Sequence, residues 1–461
     1  MAGVGAEQSL FVAPIVYAFV FSQILVSGFA MVLTRYIADC LSTSFYRDVT
    51  ASLFGMCAIV VVLGSIFAGL FLYGQPLPML ESVLSWVFFL EMLIIWVQSI
   101  YLTAVKRFRR LIGGFAAGSL LSVVTDWFLL VSGMSPPHLA AMLAVTLGMG
   151  LLLTLFFIHI VSCFGMPRGG LPFGFLPYFE RHWRIGLASL GYMLGLFVPN
   201  LIIWQGPWGV DVSATYRYAP AYDVVTFYAF ISILPLMVLF VVAAETNFYT
   251  KYAAYFDAVT RRGNLREIED AQRDLLYTLW FELRQVVEFQ FLFTLAALAL
   301  SSLLLAHAGL PEVSVSLFNV LLFAVFFTGV MQVLFILLTY FDLQKAVLRT
   351  GLSFALLNAG FGLWGLYRGG PETYGFTFFL AAAVTLVLAW RELTHFTSDI
   401  AYYVYCAQPV FYRAPHGPLT RLARWLGNGR LVNLEQLNTE QKEGESDETD
   451  EKKRAESSAK G

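Results

Sequence analysis

Long apolar runs separated by short polar gaps dominate this sequence. Eleven runs approach or exceed the roughly 20 residues that a helix needs to cross a bilayer core. They lie at about 10–34, 51–73, 81–104, 111–132, 138–163, 183–204, 222–246, 285–308, 316–340, 345–366 and 374–391. The pattern predicts an all-α polytopic membrane protein with eleven spans.

Composition supports the same class. Hydrophobic residues make up 58% of the 461 residues and charged residues only 13%, whereas soluble domains are about a quarter charged. One soluble core could not bury so much apolar sequence, because a soluble fold of this length still needs a polar surface. The formal net charge of −2 gives no reason to expect a nucleic-acid partner.

The basic residues predict an orientation. When the gaps are assigned alternately to the two sides, only Arg217 and Arg368 of the 29 Lys and Arg residues fall on one side. Positively charged short loops stay cytoplasmic, so we expect the C-terminus inside and, with eleven spans, the N-terminus outside. The charges thus orient a multi-pass membrane protein.

Two polar segments interrupt this pattern. Residues 247–284 contain Asn264 followed three residues later by Glu267, the spacing of a capping box, and leucines then recur at helical spacing. We predict an amphipathic cytoplasmic helix here, lying along the inner leaflet or on a partner. The acidic and basic tail 433–461 has few apolar residues, so we predict that it is disordered.

Ionisable residues inside the spans are the first candidates for function, because a charge in a membrane helix is costly and usually faces a cavity or a partner. Glu91 is the deepest and shares its helix with Gln98 and Tyr101; Asp126 is next. These groups are expected to line a hydrated pathway. The alternative is an acid that is hydrogen-bonded between two helices.

Several other positions are weaker candidates. Asp223, Glu245, Glu288 and Asp342 lie near helix ends, where the hydrogen-bonded alternative is favoured, with Asn200, Gln332 and Asn358 as possible partners. Pro199 and Pro235 are hinge candidates, although proline is tolerated in membrane helices. Gly114 and Gly118 are four residues apart, which favours close helix packing.

No signature of an enzyme or a bound metal is visible. The four cysteines and six histidines show no ligand spacing, and no nucleotide-binding loop or nucleophile motif occurs. We therefore expect no metal, no cofactor and no catalytic residues.

The second half of the chain resembles a known family. The segment 214–257 (ATYRYAPAYDVVTFYAFISILPLMVLFVVAAETNFYTKYAAYF) is similar to the Pel exopolysaccharide transporter family (PelG), a branch of the multidrug, oligosaccharidyl-lipid and polysaccharide exporter superfamily. Further similar segments follow the family order: LTRYIAD (33–39), LLTYFDLQKAVL (337–348), LNAGFGL (357–363), YGFTFFLAAA (374–383) and QP (408–409). The resemblance covers about 15–410.

This resemblance implies two six-helix bundles with both termini cytoplasmic. Here it would place two helical bundles at 1–165 and 183–410, with five spans before a break at 163–183 and six after it. The family's first helix would then be missing from the first bundle. The resemblance also implies a transporter that lies in the cytoplasmic (inner) membrane and moves an N-acetylhexosamine-rich polysaccharide across it during biofilm matrix synthesis. The implied partners are a cytoplasmic glycosyltransferase and membrane subunits of a synthase complex, with 247–284 as the expected contact surface.

Two other functions stay open at the level of sequence. A non-transporting scaffold subunit of a polysaccharide synthase would also be a multi-pass membrane protein, and a missing helix makes this reading more plausible. A membrane glycosyltransferase or ligase fits less well, since the longest outer gap, about 205–221, holds only Asp211 and Arg217 as charged residues.

Overall fold

Helices make up nearly all of the computed structural model. It describes residues 2–43, 46–104, 108–133, 136–166, 170–260, 263–307, 313–370, 373–405 and 417–426. The predicted tail 433–461 and the QP pair at 408–409 lie outside these residues. The helices are α1 (Ala2–Ser42), α2 (Tyr46–Leu72), α3 (Met79–Ala104), α4 (Phe108–Val131), α5 (Pro137–Phe164), α6 (Leu176–Trp204), α7 (Pro220–Ile231), α8 (Leu234–Ala243), α9 (Tyr249–Thr260), α10 (Leu265–Ala299), α11 (Ser301–His307), α12 (Val313–Tyr340), α13 (Gln344–Trp364), α14 (Tyr374–Ser398), α15 (Ile400–Tyr405) and α16 (Pro418–Leu426).

The predicted spans reappear as helices. In the described part of the chain, 10 helical segments are long and apolar enough to cross a membrane. They correspond to every predicted span except 285–308. The predicted fold class, an all-α polytopic membrane protein, is confirmed. A short hairpin of strands β1 (Val210–Val212) and β2 (Tyr216–Tyr218) follows α6.

The predicted span 285–308 is wrong as a single apolar helix. Its residues are divided between α10 and α11, because the backbone of Leu300 leaves the helical region (φ −96°, ψ 0°). The apolar end of α10 also continues a polar helix, and Arg284 Nε donates to Glu288 Oε1 at 2.6 Å near the junction. That hydrogen bond raises the pKa of the Arg284 guanidinium, so Arg284 keeps its charge there.

The polar segment 247–284 forms a helical hairpin of α9 and the first half of α10. The predicted capping box is confirmed: Glu267 N donates to Asn264 Oδ1 and Asn264 N donates to Glu267 Oε2, both at 2.9 Å. Lys251 Nζ donates to Asp274 Oδ2 at 2.7 Å across the hairpin. Leu275 and Leu279 of α10 are buried within the protein, so these two residues of the apolar stripe are not free to lie on a membrane.

The chain divides into two units. The first unit takes in α1 to α5, α6 as far as Ser189, and α16; the second takes in α6 from Leu190 together with α7 to α15. The predicted boundaries of the bundles, at 165 and 183, stay a prediction, as does the loss of a first family helix.

Glycines bring α4 and α5 of the first unit close together. A methyl group added at Gly118 would lie 2.8 Å from the carbonyl oxygen of Gly148, and one added at Gly148 would lie 1.9 Å from Ser122 Oγ. Gly114 packs in the same way against Phe156. The predicted packing role of Gly114 and Gly118 is confirmed, since small residues let helix backbones approach closely.

Candidate functional site

Glu91 lies in the middle of α3 in the first unit. Its carboxylate packs over α5, where a methyl group added at Gly150 would lie 3.2 Å from Glu91 Oε1. Glu91 Oε2 is buried and has no hydrogen-bond partner among the described residues. A buried polar atom without a partner is costly, and an ionisable residue inside a spanning helix is a candidate functional residue for that reason. Glu91 remains the strongest candidate within the spans.

Gln98 and Tyr101 lie further along α3. Gln98 is two turns from Glu91 on the same helix face, it is buried, and its Oε1 has no partner among the described residues. Tyr101 is fully buried and its hydroxyl lies 2.9 Å from Ser52 Oγ of α2. Tyr101 therefore joins α3 to α2, whereas Gln98, like Glu91, has a buried side-chain oxygen without a hydrogen-bond partner among the described residues.

Asp126 lies on α4 and is half-buried. Its Oδ1 is buried without a hydrogen-bond partner among the described residues, while Val123 and Trp127 on the same helix are exposed. No hydrogen bond or ion pair within the described residues joins Asp126 to Glu91. Asp126 and Glu91 are thus two separate candidates for a pathway residue, both in the first unit.

The carboxylate of Asp223, in the second unit, accepts hydrogen bonds from three different residues. It accepts from Asn200 Nδ2 at 2.7 Å, from Trp204 Nε1 at 2.9 Å and from the backbone N–H of Ala219 at 3.2 Å. Asn200 and Trp204 lie on α6, and Asp223 lies in the first turn of α7. This is the arrangement of an acid that joins two helices, with Asn200 as the partner that the sequence indicated.

Glu245 and Asp342 are exposed at helix ends. Glu245 lies in a π-helical segment, Ala244–Phe248, between α8 and α9. Asp342 lies in the turn between α12 and α13 with φ +56°, and its Oδ1 accepts from Gln344 Nε2 at 3.2 Å. The sequence predicts both as weak pathway candidates, and their positions favour roles in local structure.

Pro235 marks a break in the predicted span 222–246. Helix α7 ends at Ile231, and α8 begins at Leu234 with Pro235 in its first turn. The carbonyl oxygen of Ser232, inside the break, accepts from Gln290 Nε2 of α10 at 2.9 Å. Broken membrane helices need such partners for their freed backbone groups. Gln290 was not predicted, because a glutamine in an apolar run gives no sign of which carbonyl it meets.

Pro199, the other hinge candidate, lies inside α6. It directly precedes Asn200, the residue that binds Asp223, and the helix continues through it to Trp204. The nonhelical backbone inside α6 is instead at His182 (φ −111°, ψ 24°). The hinge roles of both prolines stay predictions.

Two ionisable clusters of the first unit were missed by the sequence analysis. At the starts of α1, α3 and α5, His138 Nδ1 lies 2.7 Å from Glu7 Oε2 and His138 Nε2 lies 3.1 Å from Glu81 Oε1. At the end of α1, Arg35 Nη1 donates to His182 Nδ1 at 3.0 Å. The alternating topology of the spans puts the starts of α1, α3 and α5 on one side of the membrane, and this was the only hint of these contacts in the sequence. The contacts themselves join residues 57 to 147 positions apart, and one sequence does not reveal which of them pair.

The described residues contain no group of three or more His, Cys, Asp or Glu side chains arranged to hold a metal ion. Asp223 and His138 are each hydrogen-bonded to more than one group, whereas Glu91, Gln98 and Asp126 each have a buried polar atom without a partner among the described residues.

Comparison with known proteins identifies the family. Residues 3–405 match the family model PelG, which is described as "Putative exopolysaccharide Exporter (EPS-E)". The chain belongs to the PelG family. The resemblance found in the sequence is thereby confirmed over nearly the whole chain. A comparison with curated proteins gives no match.

Solved structures with a similar fold are transporters and a flippase. A multidrug resistance MATE family transporter of the MOP superfamily, outward-facing, has a TM-score of 0.55 at 12% identity and covers 87% of this chain and 90% of its own. The inward-facing conformation of such a transporter gives 0.54 at 14% identity, covering 86% and 91%. The lipid II flippase MurJ gives 0.50 at 11% identity, covering 93% and 95%. These low identities establish the fold alone, and PelG membership supports a polysaccharide transporter.

Proposed function

We propose that this PelG protein moves a Pel-like, N-acetylhexosamine-rich exopolysaccharide from the cytoplasm across the inner membrane during biofilm matrix synthesis. The observation that carries this proposal is the PelG match over residues 3–405. The transporter fold supports it, since a fold shared with MATE transporters is suited to moving a solute through a membrane. Glu91, Gln98 and Asp126 are the proposed polar groups of the pathway, because each has a buried atom without a partner among the described residues.

The proposed orientation has the C-terminus in the cytoplasm. It rests on the basic residues, of which only Arg217 and Arg368 belong to gaps assigned to the outside. A fluorescent protein fused after Gly461 should fluoresce, whereas alkaline phosphatase fused there should be inactive. The opposite pair of results would show that the C-terminus is outside, and the proposed transport activity would still stand.

The proposed contact surface for a cytoplasmic glycosyltransferase and the membrane subunits of a synthase is the hairpin of α9 and α10. Tyr277 and Phe281 support this choice: they stack with their ring centroids 6.0 Å apart on α10, and both are exposed. Exposed aromatic residues are enriched in protein interfaces. Loss of co-purification of the synthase subunits in Tyr277→Ala/Phe281→Ala, with the transporter still in the membrane, is the expected result.

A deletion strain tests transport against the scaffold alternative. If this protein is the transporter, cells without it should hold normal amounts of the glycosyltransferase and accumulate polymer inside, and this chain should restore secretion. Cells that lose the glycosyltransferase and make no polymer at all would show a scaffold instead. The strain carrying an empty vector and the strain lacking the glycosyltransferase are the two reference points.

A further inference from the structure

Helix α16 is attached to the first unit through its own N-terminus. The carboxylate of Glu180, on the first turns of α6, accepts from the backbone N–H groups of Gly417 (3.0 Å), Leu419 and Thr420 (3.1 Å), and from Thr420 Oγ1 at 2.6 Å. An acidic group at this position satisfies N–H groups that no helical carbonyl can reach and suits the positive end of the helix dipole. The start of α16 is therefore fixed relative to α6.

One face of α16 is buried against the first unit. Ala423 belongs to the hydrophobic core of that unit, Leu419 packs against it and Thr420 is buried. Thr420 and Ala423 follow Leu419 by one and four residues, so all three lie on one side of the helix. The opposite side is consequently turned away from the protein.

The outward side of α16 combines apolar and basic residues. Trp425 is 76% exposed, and Leu422, three residues before it, is exposed on the same side. Arg421 and Arg424 are exposed next to this stripe, and the helix sequence PLTRLARWL contains no acidic residue. Tryptophan and leucine beside arginines are the composition of helices that lie in the membrane interface.

The attachment point fixes the depth of α16. Glu180 precedes the kink at His182, and the predicted span of α6 begins directly after that kink. Tyr178 donates to Asp39 Oδ2 at 2.9 Å, close to the end of α1. Since Glu180 lies where two spanning helices begin and end, the helix that it caps lies at the level of a membrane surface.

We propose that α16 is an interfacial helix that binds an anionic phospholipid surface, with Leu422 and Trp425 inserted at the acyl boundary and Arg421 and Arg424 on the lipid phosphates. The PelG match ends at residue 405, so this helix lies outside the residues that define the family in this chain. The inference does not depend on the proposed transport activity.

Hydrogen exchange of the full-length protein in nanodiscs tests the proposal. Backbone N–H groups of 417–426 should exchange more slowly in nanodiscs that contain phosphatidylglycerol than in nanodiscs of phosphatidylcholine alone. At about 1 kcal/mol for each arginine near an anionic surface, the difference should reach about 30-fold, and high salt should reduce it. Inorganic phosphate added in detergent should give no such protection.

Variants separate lipid binding from attachment to the protein. Arg421→Gln/Arg424→Gln should abolish the dependence on anionic lipid, whereas Arg266→Gln/Arg273→Gln, which removes the same charge from exposed positions of α10, should leave it intact. Glu180→Gln should speed exchange in both kinds of nanodisc. Equal protection in neutral and anionic nanodiscs would overturn the proposal, and so would protection that appears only in native membranes, which would indicate a protein partner.

Discussion

The side-chain amide of Gln290 donates to the backbone carbonyl oxygen of Ser232, 2.9 Å away, at the break between α7 and α8. Gln290 is fully buried. On the other side of the break, a methyl group added at Gly329 of α12 would lie 2.8 Å from Ile233 Cδ1. The irregular backbone is thus enclosed by protein, the condition under which a broken helix is tolerated at membrane depth.

Replacing Gln290 with leucine should destabilise the second unit. The change keeps the approximate size of the side chain but leaves the Ser232 carbonyl without this donor, at a cost of about 1 kcal/mol for a hydrogen bond within a membrane protein. The thermal unfolding midpoint of the protein in nanodiscs should fall by a few degrees.

Gln332→Leu is the matched control for this change. Gln332 lies on α12, and its side chain makes no hydrogen bond with the residues that the structure describes. The unfolding midpoint of this variant should stay close to that of the unmodified protein. Equal midpoints for the two variants would mean that Gln290 does not support the break.

Asp223 should behave as a structural acid. In Asp223→Ala the donors of Asn200, Trp204 and Ala219 all lose their acceptor, so we expect a loss of about 2–4 kcal/mol in the free energy of unfolding. Asp223→Asn keeps one carbonyl oxygen and should lose less. Secretion by each variant should then follow the amount of folded protein in the membrane.

Asp211→Ala is the control for Asp223. Asp211 is 71% exposed and its ion pair with Arg217, at 3.7 Å, belongs to a class worth at most about 1 kcal/mol. If Asp223→Asn abolished secretion while unfolding at the temperature of the unmodified protein, Asp223 would belong to the transport pathway instead.

The spans could be predicted from sequence because lipid imposes a simple rule. Backbone groups in the bilayer core must be bonded within the protein, and an unbroken helix bonds its own, so length and apolar composition are enough to find most spans. Length and composition alone do not describe 285–308, where Glu288 and Gln290 interrupt the apolar pattern and the helix ends before Leu300. The capping box at Asn264 could be predicted for a similar reason, since both its partners are local.

The pairing of polar groups could not be predicted in the same way. His138 is one of six scattered histidines in the sequence, and only the fold brings it between Glu7 and Glu81. The same holds for Glu180, whose role depends on a helix that begins 238 residues later in the chain. The partners in a long-range hydrogen bond are not separated by a regular number of residues, so a single sequence does not reveal them.

Gly148→Ala should destabilise the packing of α4 and α5. The added methyl group would lie 1.9 Å from Ser122 Oγ and 2.4 Å from the carbonyl oxygen of Gly118, so the helices must separate, at a cost of about 1–3 kcal/mol for overpacking. Gly113→Ala is the control, because a methyl group there meets nothing within 4 Å, and alanine favours a helix by about 1 kcal/mol over glycine. A higher unfolding temperature for Gly113→Ala with a lower one for Gly148→Ala is the expected pair of results.

Glu91 and Asp126 should be required for secretion and dispensable for folding. Each has a buried carboxylate oxygen without a partner among the described residues, so its removal breaks no hydrogen bond that the protein uses for stability. Glu91→Ala and Asp126→Ala should therefore secrete less polymer, while their membrane abundance and unfolding temperature stay at or above those of the unmodified protein, because a buried polar atom without a partner is costly to keep.

Glu91→Gln refines this test, because it keeps the size and polarity of the side chain but removes the ionisable carboxyl group. Secretion as low as that of Glu91→Ala would assign the effect to the carboxylate, and restored secretion would assign it to polarity alone. Asp211→Ala, which removes an exposed acid outside the spans, should secrete normally. Unchanged secretion from both alanine variants would remove Glu91 and Asp126 from the proposed pathway.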